Sequence, residues 1–258
     1  MSQHWEYFTF DGIKSTDYGV WISGEATFNA PERDVTVVEI PGRNGTLTID
    51  NGRWKNVQIT YPCFMSGNFL DEFDTFKNAI LPKYGYLKLE DTYHPTGYRM
   101  ARITGGIKPK PGSYNKSAKF DITFDCWPQF YLYPQGSAFP ESITIAGSGT
   151  IEDVPLVSYS QPKVSVYFVR PLVYEEKSGS VTIGGKTITF TDVPYASGSA
   201  QLFVIDSQSK TITHRVGSEN VDISEYCSGE FYEILPPSTE VSSTSVAQLI
   251  IEPRWWSL

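Results

Sequence analysis

Short runs of alternating apolar and polar residues recur along most of the chain, and turns containing glycine or asparagine separate them. The run 118–126, for example, places an apolar side chain at every second position from Ala118 to Cys126. Successive side chains of a strand point to opposite faces, so a period of two is typical of a strand with one buried face. This pattern predicts a mainly β protein built from antiparallel strands.

A single segment departs from this period. Its apolar residues fall at positions 69, 70, 73, 76, 80 and 81, which is helical spacing. Asp71 and Glu72 lie where carboxylates favour the positive end of a helix dipole, and Pro82 ends the helical pattern. We therefore predict one helix in an otherwise β-rich chain.

Composition and charge both change near residue 134. Residues 1–133 carry 14 basic and 15 acidic side chains, whereas residues 134–258 carry 7 and 14. The second part is rich in Ser, Thr, Val and Ile, and its short strands follow one another closely, with a two-residue turn at Gly184-Gly185. We predict two domains: a β-rich domain with one helix at 1–133, and an antiparallel β-sandwich or jelly roll at 134–258.

Several classes of protein are disfavoured by simple arithmetic. The net charge of −8 argues against a nucleic-acid-binding surface, which needs a basic footprint. No apolar run approaches the ~20 residues of a membrane-spanning helix, so we expect no membrane partner. The first residues resemble no signal peptide, and we expect synthesis in a cytoplasm.

No motif in the sequence identifies an enzyme. We predict no catalytic residue, no cofactor and no metal site, and the widely spaced Cys63, Cys126 and Cys227 suit reduced thiols rather than zinc ligands. Glu90, Asp91 and His94 are close enough in sequence to form a metal or acid–base set, although a polar turn ending a strand is the alternative. A glycosidase would need two facing carboxylates, and no motif singles out such a pair.

A long arm spans residues 31–61. The turn residues Asn44-Gly45 and Asn51-Gly52 lie between alternating runs, and we expect residues 42–61 to form a hairpin with little core of its own. Arginine binds carboxylates bidentately at interfaces, so Arg43, Arg53, Arg99 and Arg102 are candidates to meet another subunit, with exposed strand arginines as the alternative. We select Arg43, Arg53 and Trp54 as the predicted subunit interface.

Two adjacent tryptophans, Trp255 and Trp256, lie near the end of the sequence. They could stack on a sugar ring, or they could fix the last strand to the core. A β-sandwich with exposed aromatic side chains is a common sugar platform, so a carbohydrate-binding protein acting through the second domain is the alternative function.

The order of these features resembles the distal tail proteins of long-tailed phages and prophages that infect Gram-positive bacteria. The resemblance covers nearly the whole chain, and no single motif defines it. It is carried by the arm, the single helix and three runs: Pro41-Gly42-Arg43-Asn44-Gly45, Phe124-Asp125-Cys126-Trp127-Pro128 and Ile250-Ile251-Glu252-Pro253-Arg254-Trp255-Trp256.

The resemblance implies a structural virion protein at the tail tip, made in the bacterial cytoplasm. Residues 1–133 would form a belt domain that assembles into a hexameric ring, possibly in stacked rings. The ring would join the major tail (tube) protein to the tail-associated protein, and DNA would only pass through its channel. Residues 134–258 would form a galectin-like sandwich that docks receptor-binding or baseplate proteins. The galectin sugar motif H-x-N-x-R is absent after both His94 and His214.

Overall fold

A computed structural model describes residues 6–25, 27–67, 69–135, 139–154, 159–168, 177–193, 202–216 and 218–258. The chain divides into two compact units, Met1–Tyr131 with Leu258 and Leu132–Ser257. Strands dominate both units, which confirms the prediction of a mainly β protein.

The described residues of the first unit form a helix, two short 3-10 turns and ten strands, the last of which ends one residue beyond the unit. The helix is α1 (Phe69–Ile80) and the turns are Ser15–Tyr18 and Ser113–Asn115. The strands are β1 (Phe8–Phe10), β2 (Ile13–Lys14), β3 (Val20–Ile22), β4 (Arg33–Glu39), β5 (Thr46–Trp54), β6 (Val57–Ser66), β7 (Leu87–Asp91), β8 (Gly97–Ile103), β9 (Lys110–Pro111) and β10 (Ser117–Leu132).

The main sheet of this unit has the order β2-β1-β7-β8-β10-β6-β3, and β9 pairs with the start of β10. Its longest described pairing is antiparallel and joins β6 to β10, from Val57 opposite Cys126 to Ser66 opposite Ser117. Every second residue of β6 is buried, as the alternating sequence predicts.

Helix α1 covers one face of this sheet and confirms the predicted helix. Its buried side chains are Phe69, Phe73, Phe76 and Ile80. The rings of Phe73 and Phe76 lie 5.5 and 6.2 Å from the ring of Phe120 on β10. The two remaining apolar residues of the predicted pattern, Leu70 and Leu81, are exposed because the buried face of the helix is narrower than the sequence suggested.

The predicted hairpin at 42–61 is wrong in its bounds. Strands β4 and β5 form the hairpin, whereas β6 leaves it and joins the main sheet. Asn51-Gly52 is not a turn between strands but an irregularity inside β5, where the register shifts opposite Arg33–Val35. Gly52 has a φ of 74°, and its N–H donates to Asp50 Oδ1 at 2.8 Å, so a local side-chain bond stabilises a bulge at this position.

In the second unit, the residues that the structure describes form two main sheets and a 3-10 turn at Ser224–Tyr226. Its strands are β11 (Ile143–Ile145), β12 (Gly149–Ile151), β13 (Lys163–Phe168), β14 (Lys177–Ile183), β15 (Lys186–Val193), β16 (Leu202–Asp206), β17 (Thr211–Val216), β18 (Glu219–Asp222), β19 (Cys227–Gly229), β20 (Thr239–Thr244), β21 (Val246–Glu252) and β22 (Trp256–Ser257).

The two sheets of this unit face each other through aromatic side chains. A six-stranded sheet has the order β11-β21-β13-β16-β17-β18, and a five-stranded sheet has the order β12-β20-β14-β15-β19. Phe190 of the smaller sheet lies 5.4 Å from Phe168 and 5.8 Å from Phe203 of the larger sheet, measured between ring centroids. All three are buried, and this packing is typical of a β-sandwich.

Among the residues that the structure describes, no helix has the length and apolar character needed to cross a membrane.

Candidate assembly surface

The β4–β5 hairpin contributes almost nothing to the core of its own unit. From Glu32 to Asn56 no residue is buried, and the two strands form a separate sheet. A two-stranded hairpin on its own is only marginally stable in water. The hairpin therefore presents most of its surface, including its apolar side chains, to whatever lies next to it.

One face of the hairpin is apolar. The register places Val38 opposite Leu47 and Thr36 opposite Ile49, so Val38, Leu47 and Ile49 share a face, and we call these three residues the apolar face. Their exposed fractions are 38, 43 and 48%. The opposite face is mixed, with Val37 directly opposite Thr48. Contiguous exposed apolar side chains of this kind are typical of interaction surfaces.

Polar contacts hold the base of the hairpin. Arg33 Nε lies 2.9 Å from Asp50 Oδ2, and its guanidinium lies 4.9 Å from the centre of the Trp54 ring. Arg53 Nε lies 2.5 Å from Asp34 Oδ2. The Gly52 N–H, followed by Arg33, lowers the pKa of Asp50, and Arg53 does the same for the pKa of Asp34. These exposed pairs fix local geometry more than they add stability.

The structure separates the three predicted interface residues. Arg53 and Trp54 lie at the base of the hairpin, each in contact with its own partner there. Arg43 lies at the tip, where it lines a shallow depression of about 460 Å³ together with Glu39, Ile40 and Thr46. The length of β5 puts about 25 Å between tip and base at 3.3 Å per residue. The interface role of Arg43, Arg53 and Trp54 stays a prediction.

The predicted interface residues did not include the apolar face. The sequence contains a pattern that indicates it, because Leu47 and Ile49 alternate with threonines in the run 46–50. Alternation indicates that one face of a strand is buried, and it does not say which molecule buries it.

Two of the four candidate arginines are used inside their own unit. Asp125 is buried and accepts hydrogen bonds from Arg102 Nε at 2.9 Å, Tyr86 Oη at 3.0 Å and Gln58 Nε2 at 3.0 Å. The guanidinium of Arg99 lies 5.3 Å from the centre of the Phe130 ring, and burial lowers the pKa of this arginine. These contacts leave 49% of the Arg102 side chain exposed, and an interface role for either arginine stays a prediction.

The Glu90, Asp91 and His94 set does not converge on one point. Asp91 accepts hydrogen bonds from Tyr61 Oη at 2.6 Å and from the His94 N–H at 2.9 Å, and His94 Nδ1 lies 3.0 Å from its carboxylate. Glu90 instead pairs with Lys88 at 3.0 Å. Over the described part of the chain, no three His, Cys, Asp or Glu side chains are grouped as metal ligands. The geometry is that of a polar turn at the end of a strand.

The three cysteines are free thiols. Cys63 and Cys126 are buried in the first unit, and Cys227 is partly buried in the second. Burial raises the pKa of Cys126 and of Cys227 to about 12. A thiol with a raised pKa is a poor nucleophile at neutral pH, so this environment is typical of structural cysteines.

The two tryptophans near residue 258 are anchored in the second unit. Trp255 and Trp256 are buried, and their indole N–H groups donate to the carbonyls of Pro140 at 3.0 Å and Tyr159 at 2.8 Å. Arg254 beside them forms a two-pronged ion pair with Asp206, with its shortest contact at 2.6 Å. Buried rings of this kind offer no face for a sugar, so these two tryptophans do not provide the stacking surface that the carbohydrate-binding alternative needs.

Comparison with known proteins gives similarity in structure and none in sequence families. No protein-family model matches the chain, and no curated protein matches it significantly. Among solved structures, a chain of the phage p2 baseplate, in an activated conformation with strontium, matches with a TM-score of 0.52 at 13% identity, over 95% of this chain and 97% of that one.

A second solved structure is more similar still. The Dit (gp 19.1) protein of phage SPP1, described as a paradigm of the hub adsorption apparatus in phages that infect Gram-positive bacteria, matches with a TM-score of 0.70. The identity is 12%, and the alignment covers 95% of this chain and 97% of the SPP1 protein. The chain thus has the fold of a phage distal tail protein over nearly its whole length, which confirms at the level of the fold the resemblance seen in its sequence.

Proposed function

We propose that this chain is a structural protein of a phage tail tip, a distal tail protein that assembles into a hexameric ring. The proposal rests on the likeness in fold to the SPP1 Dit protein and to a chain of the p2 baseplate. The hexameric number comes from the resemblance to distal tail proteins. No catalytic step is part of the proposal.

The observation that carries the assembly step is the β4–β5 hairpin. Residues 32–56 contain no buried side chain, although the strands alternate as if one face were covered. A ring with one type of interface needs two different surfaces that meet after a fixed rotation. A projecting hairpin that packs its apolar face on the next copy supplies one of these surfaces.

The two units have different roles in this proposal. Residues 1–133 form the ring, which joins the major tail protein to the tail-associated protein and leaves a channel through which DNA passes. Residues 134–258 form a galectin-like sandwich that docks receptor-binding or baseplate proteins. The protein is made in the cytoplasm of the bacterial host and acts at the tail tip of the virion.

Mass in solution tests the ring directly. We expect size-exclusion chromatography with multi-angle light scattering to give a species of six times 28.9 kDa, or twelve times this mass if rings stack. The fraction assembled should increase with protein concentration. A monomer at every concentration would contradict self-assembly of the chain on its own.

A matched pair of variants tests the hairpin. Leu47→Asp puts a charge on the apolar face, and Thr48→Asp puts the same charge on the neighbouring position of the opposite face. We expect the first to increase the dissociation constant of the ring at least tenfold and the second to change it less than threefold. Equal effects of the two changes would show that charge, and not the apolar face, controls assembly.

A further inference from the structure

A second exposed surface lies in the first unit, away from the strands of the hairpin in sequence. Between Thr92 and Phe120 the chain contains six arginines and lysines and no acidic residue, although the whole protein has a net charge of −8. Four lysines of this stretch, Lys108, Lys110, Lys116 and Lys119, are exposed. None of the ion pairs among the described residues includes one of these four lysines.

The pairing of β9 with β10 brings two of these charges together. Lys110 stands directly opposite Lys119 in the register, and like charges in this arrangement repel each other. Asp121 lies two residues beyond Lys119 on the same strand face. Among the described residues, no ion pair joins Lys110 or Lys119 to a carboxylate.

A tyrosine projects from the same edge. Tyr114 is 93% exposed, and its φ of 58° lies in the left-handed region that residues other than glycine and asparagine rarely adopt. Two backbone hydrogen bonds fix the loop: the Gly112 N–H donates to the Ser117 carbonyl at 2.7 Å, and the Gly67 N–H donates to the Lys116 carbonyl at 2.8 Å. The loop thus holds Tyr114 outward before any partner arrives.

An apolar groove runs beside this loop. Its volume is about 390 Å³, and Phe64, Met65 and Ala118 contribute to its lining. Lys110 and Lys119 also line it. A groove with mainly apolar walls that two lysines also line suits a segment that has both apolar side chains and carboxylates.

We propose that this lysine–tyrosine edge, formed by Lys108, Lys110, Tyr114, Lys116 and Lys119, docks a different protein through an acidic segment that carries an apolar side chain. Tyr114 serves as the anchor, because tyrosine is among the residues that contribute most at protein interfaces. The lysines guide the acidic segment to the groove and set its orientation. This surface is separate from the hairpin, so the inference goes beyond the assembly proposed above and does not depend on it.

The charge distribution favours a short acidic segment over a nucleic acid. Without the four lysines the rest of the chain has a net charge of −12, against −8 for the whole. A long polyanion that extends beyond the edge meets this negative surface, whereas a segment confined to the groove does not. Screening over about 8 Å at physiological salt keeps the attraction local.

A labelled peptide provides the test. The probe is a 12-residue peptide with glutamates on both sides of a central Leu-Phe-Leu, and its binding to the full chain is followed by fluorescence anisotropy at 50 mM salt. We expect saturable binding that weakens as salt increases. Lys110→Glu with Lys119→Glu should weaken it at least tenfold, and Tyr114→Ala should weaken it three- to fivefold with no change in charge.

A charge-matched control separates the edge from the overall charge. Lys77→Glu with Lys83→Glu changes the net charge by the same amount at partly exposed lysines outside the hairpin that already have acidic partners, and it should change binding less than twofold. None of these positions is buried, so we expect each variant to fold, and each is first checked for an unchanged melting temperature. If a charge reversal perturbs folding, Lys110→Gln with Lys119→Gln takes its place.

Four results would overturn the inference: no binding at 1 mM peptide, equal loss in the control variant, no effect of Tyr114→Ala, or tighter binding of a 20-base-pair DNA than of the peptide. A change in the mass of the assembled protein on Lys110→Glu with Lys119→Glu would also overturn it, because the edge would then face a second copy of the chain.

Discussion

The β4–β5 hairpin and the β6–β10 pair have similar sequence patterns and opposite environments. Strand β6 buries Val57, Ile59, Tyr61, Cys63 and Met65 at alternate positions. Strands β4 and β5, which precede it directly, alternate in the same way and bury nothing. The difference lies in what covers each surface, since helix α1 covers the main sheet and no described residue covers the hairpin.

This contrast separates two meanings of hydrophobic alternation. In β6 it reports a core that belongs to the same unit, so changes there act on folding. In the hairpin it indicates an apolar face that no described part of the chain covers, so we expect substitutions there to affect association with another molecule. Truncating a large apolar side chain should therefore reduce the free energy of unfolding strongly in the core and only slightly in the hairpin.

Removing a large core side chain is expected to have the largest effect. Phe124 on β10 is fully buried, and its ring lies 5.2 Å from Phe10 and 5.5 Å from Phe8. Phe124→Ala should reduce the free energy of unfolding by about 3–5 kcal/mol. Leu47→Ala in the hairpin should reduce it by less than about 0.5 kcal/mol in the monomer. Urea denaturation followed by tryptophan fluorescence measures both.

The comparison fails if the two substitutions destabilise the monomer equally, because the hairpin would then be part of the folding core. Should Phe124→Ala prevent folding altogether, Phe124→Leu gives a smaller and measurable loss. The measurements belong at a concentration where light scattering detects only monomer, so that association does not add to stability.

Much of the fold follows from local pattern. The period of two predicted the strands, and the spacing from Phe69 to Ile80 predicted the helix, because both signals depend only on which side chains share a face. Asn51-Gly52 was assigned wrongly as a turn. The same dipeptide accepts a positive φ in a hairpin turn or in a bulge, and the Asp50 carboxylate bond to Gly52 that favours the bulge is a matter of three-dimensional geometry.

The candidate site was less accessible from the sequence. We chose Arg99 and Arg102 as interface candidates only because they are arginines. In the structure Arg102 pairs with the buried Asp125, and Arg99 lies over Phe130. These contacts join residues that are not neighbours in sequence, so no local pattern predicts them. The apolar face of the hairpin had a local signal, but deciding that nothing covers it requires the whole fold.

Buried and exposed carboxylates extend the comparison to pH. Burial works to raise the pKa of Asp125, but hydrogen bonds from Arg102, Asn56 and Tyr86 outweigh it and hold this pKa below its usual value. A lowered pKa in the folded state adds stability above the unfolded pKa of about 3.9, and this stability disappears as the pH falls through the folded pKa. Asp125→Asn should therefore reduce the free energy of unfolding by about 2 kcal/mol at pH 7. It should also make this free energy less sensitive to acid below about pH 4.

Asp50 in the hairpin is the control for this effect. Its pKa is also lowered, by the Gly52 N–H and by Arg33, but the group is exposed and solvent screens its interactions. Asp50→Asn should leave the acid limb of a stability curve measured between pH 2 and pH 7 unchanged. A loss of acid sensitivity in Asp50→Asn equal to that in Asp125→Asn would show that the hairpin folds as one unit with the core.

A smaller effect than the loss at Asp125 concerns the base of the hairpin, where Trp54 is partly buried under Arg33. Trp54→Asp removes an aromatic ring of the type that often dominates interfaces and adds a charge close to Asp50. We expect the dissociation constant of each subunit–subunit contact to increase about tenfold, which corresponds to about 1.4 kcal/mol per interface. Arg43→Gln at the tip should change it less than threefold, because an exposed charge at the rim of a contact contributes little. Light scattering over a concentration series measures both variants, and a Trp54→Asp ring of unchanged size and affinity would place the contact on the apolar face alone.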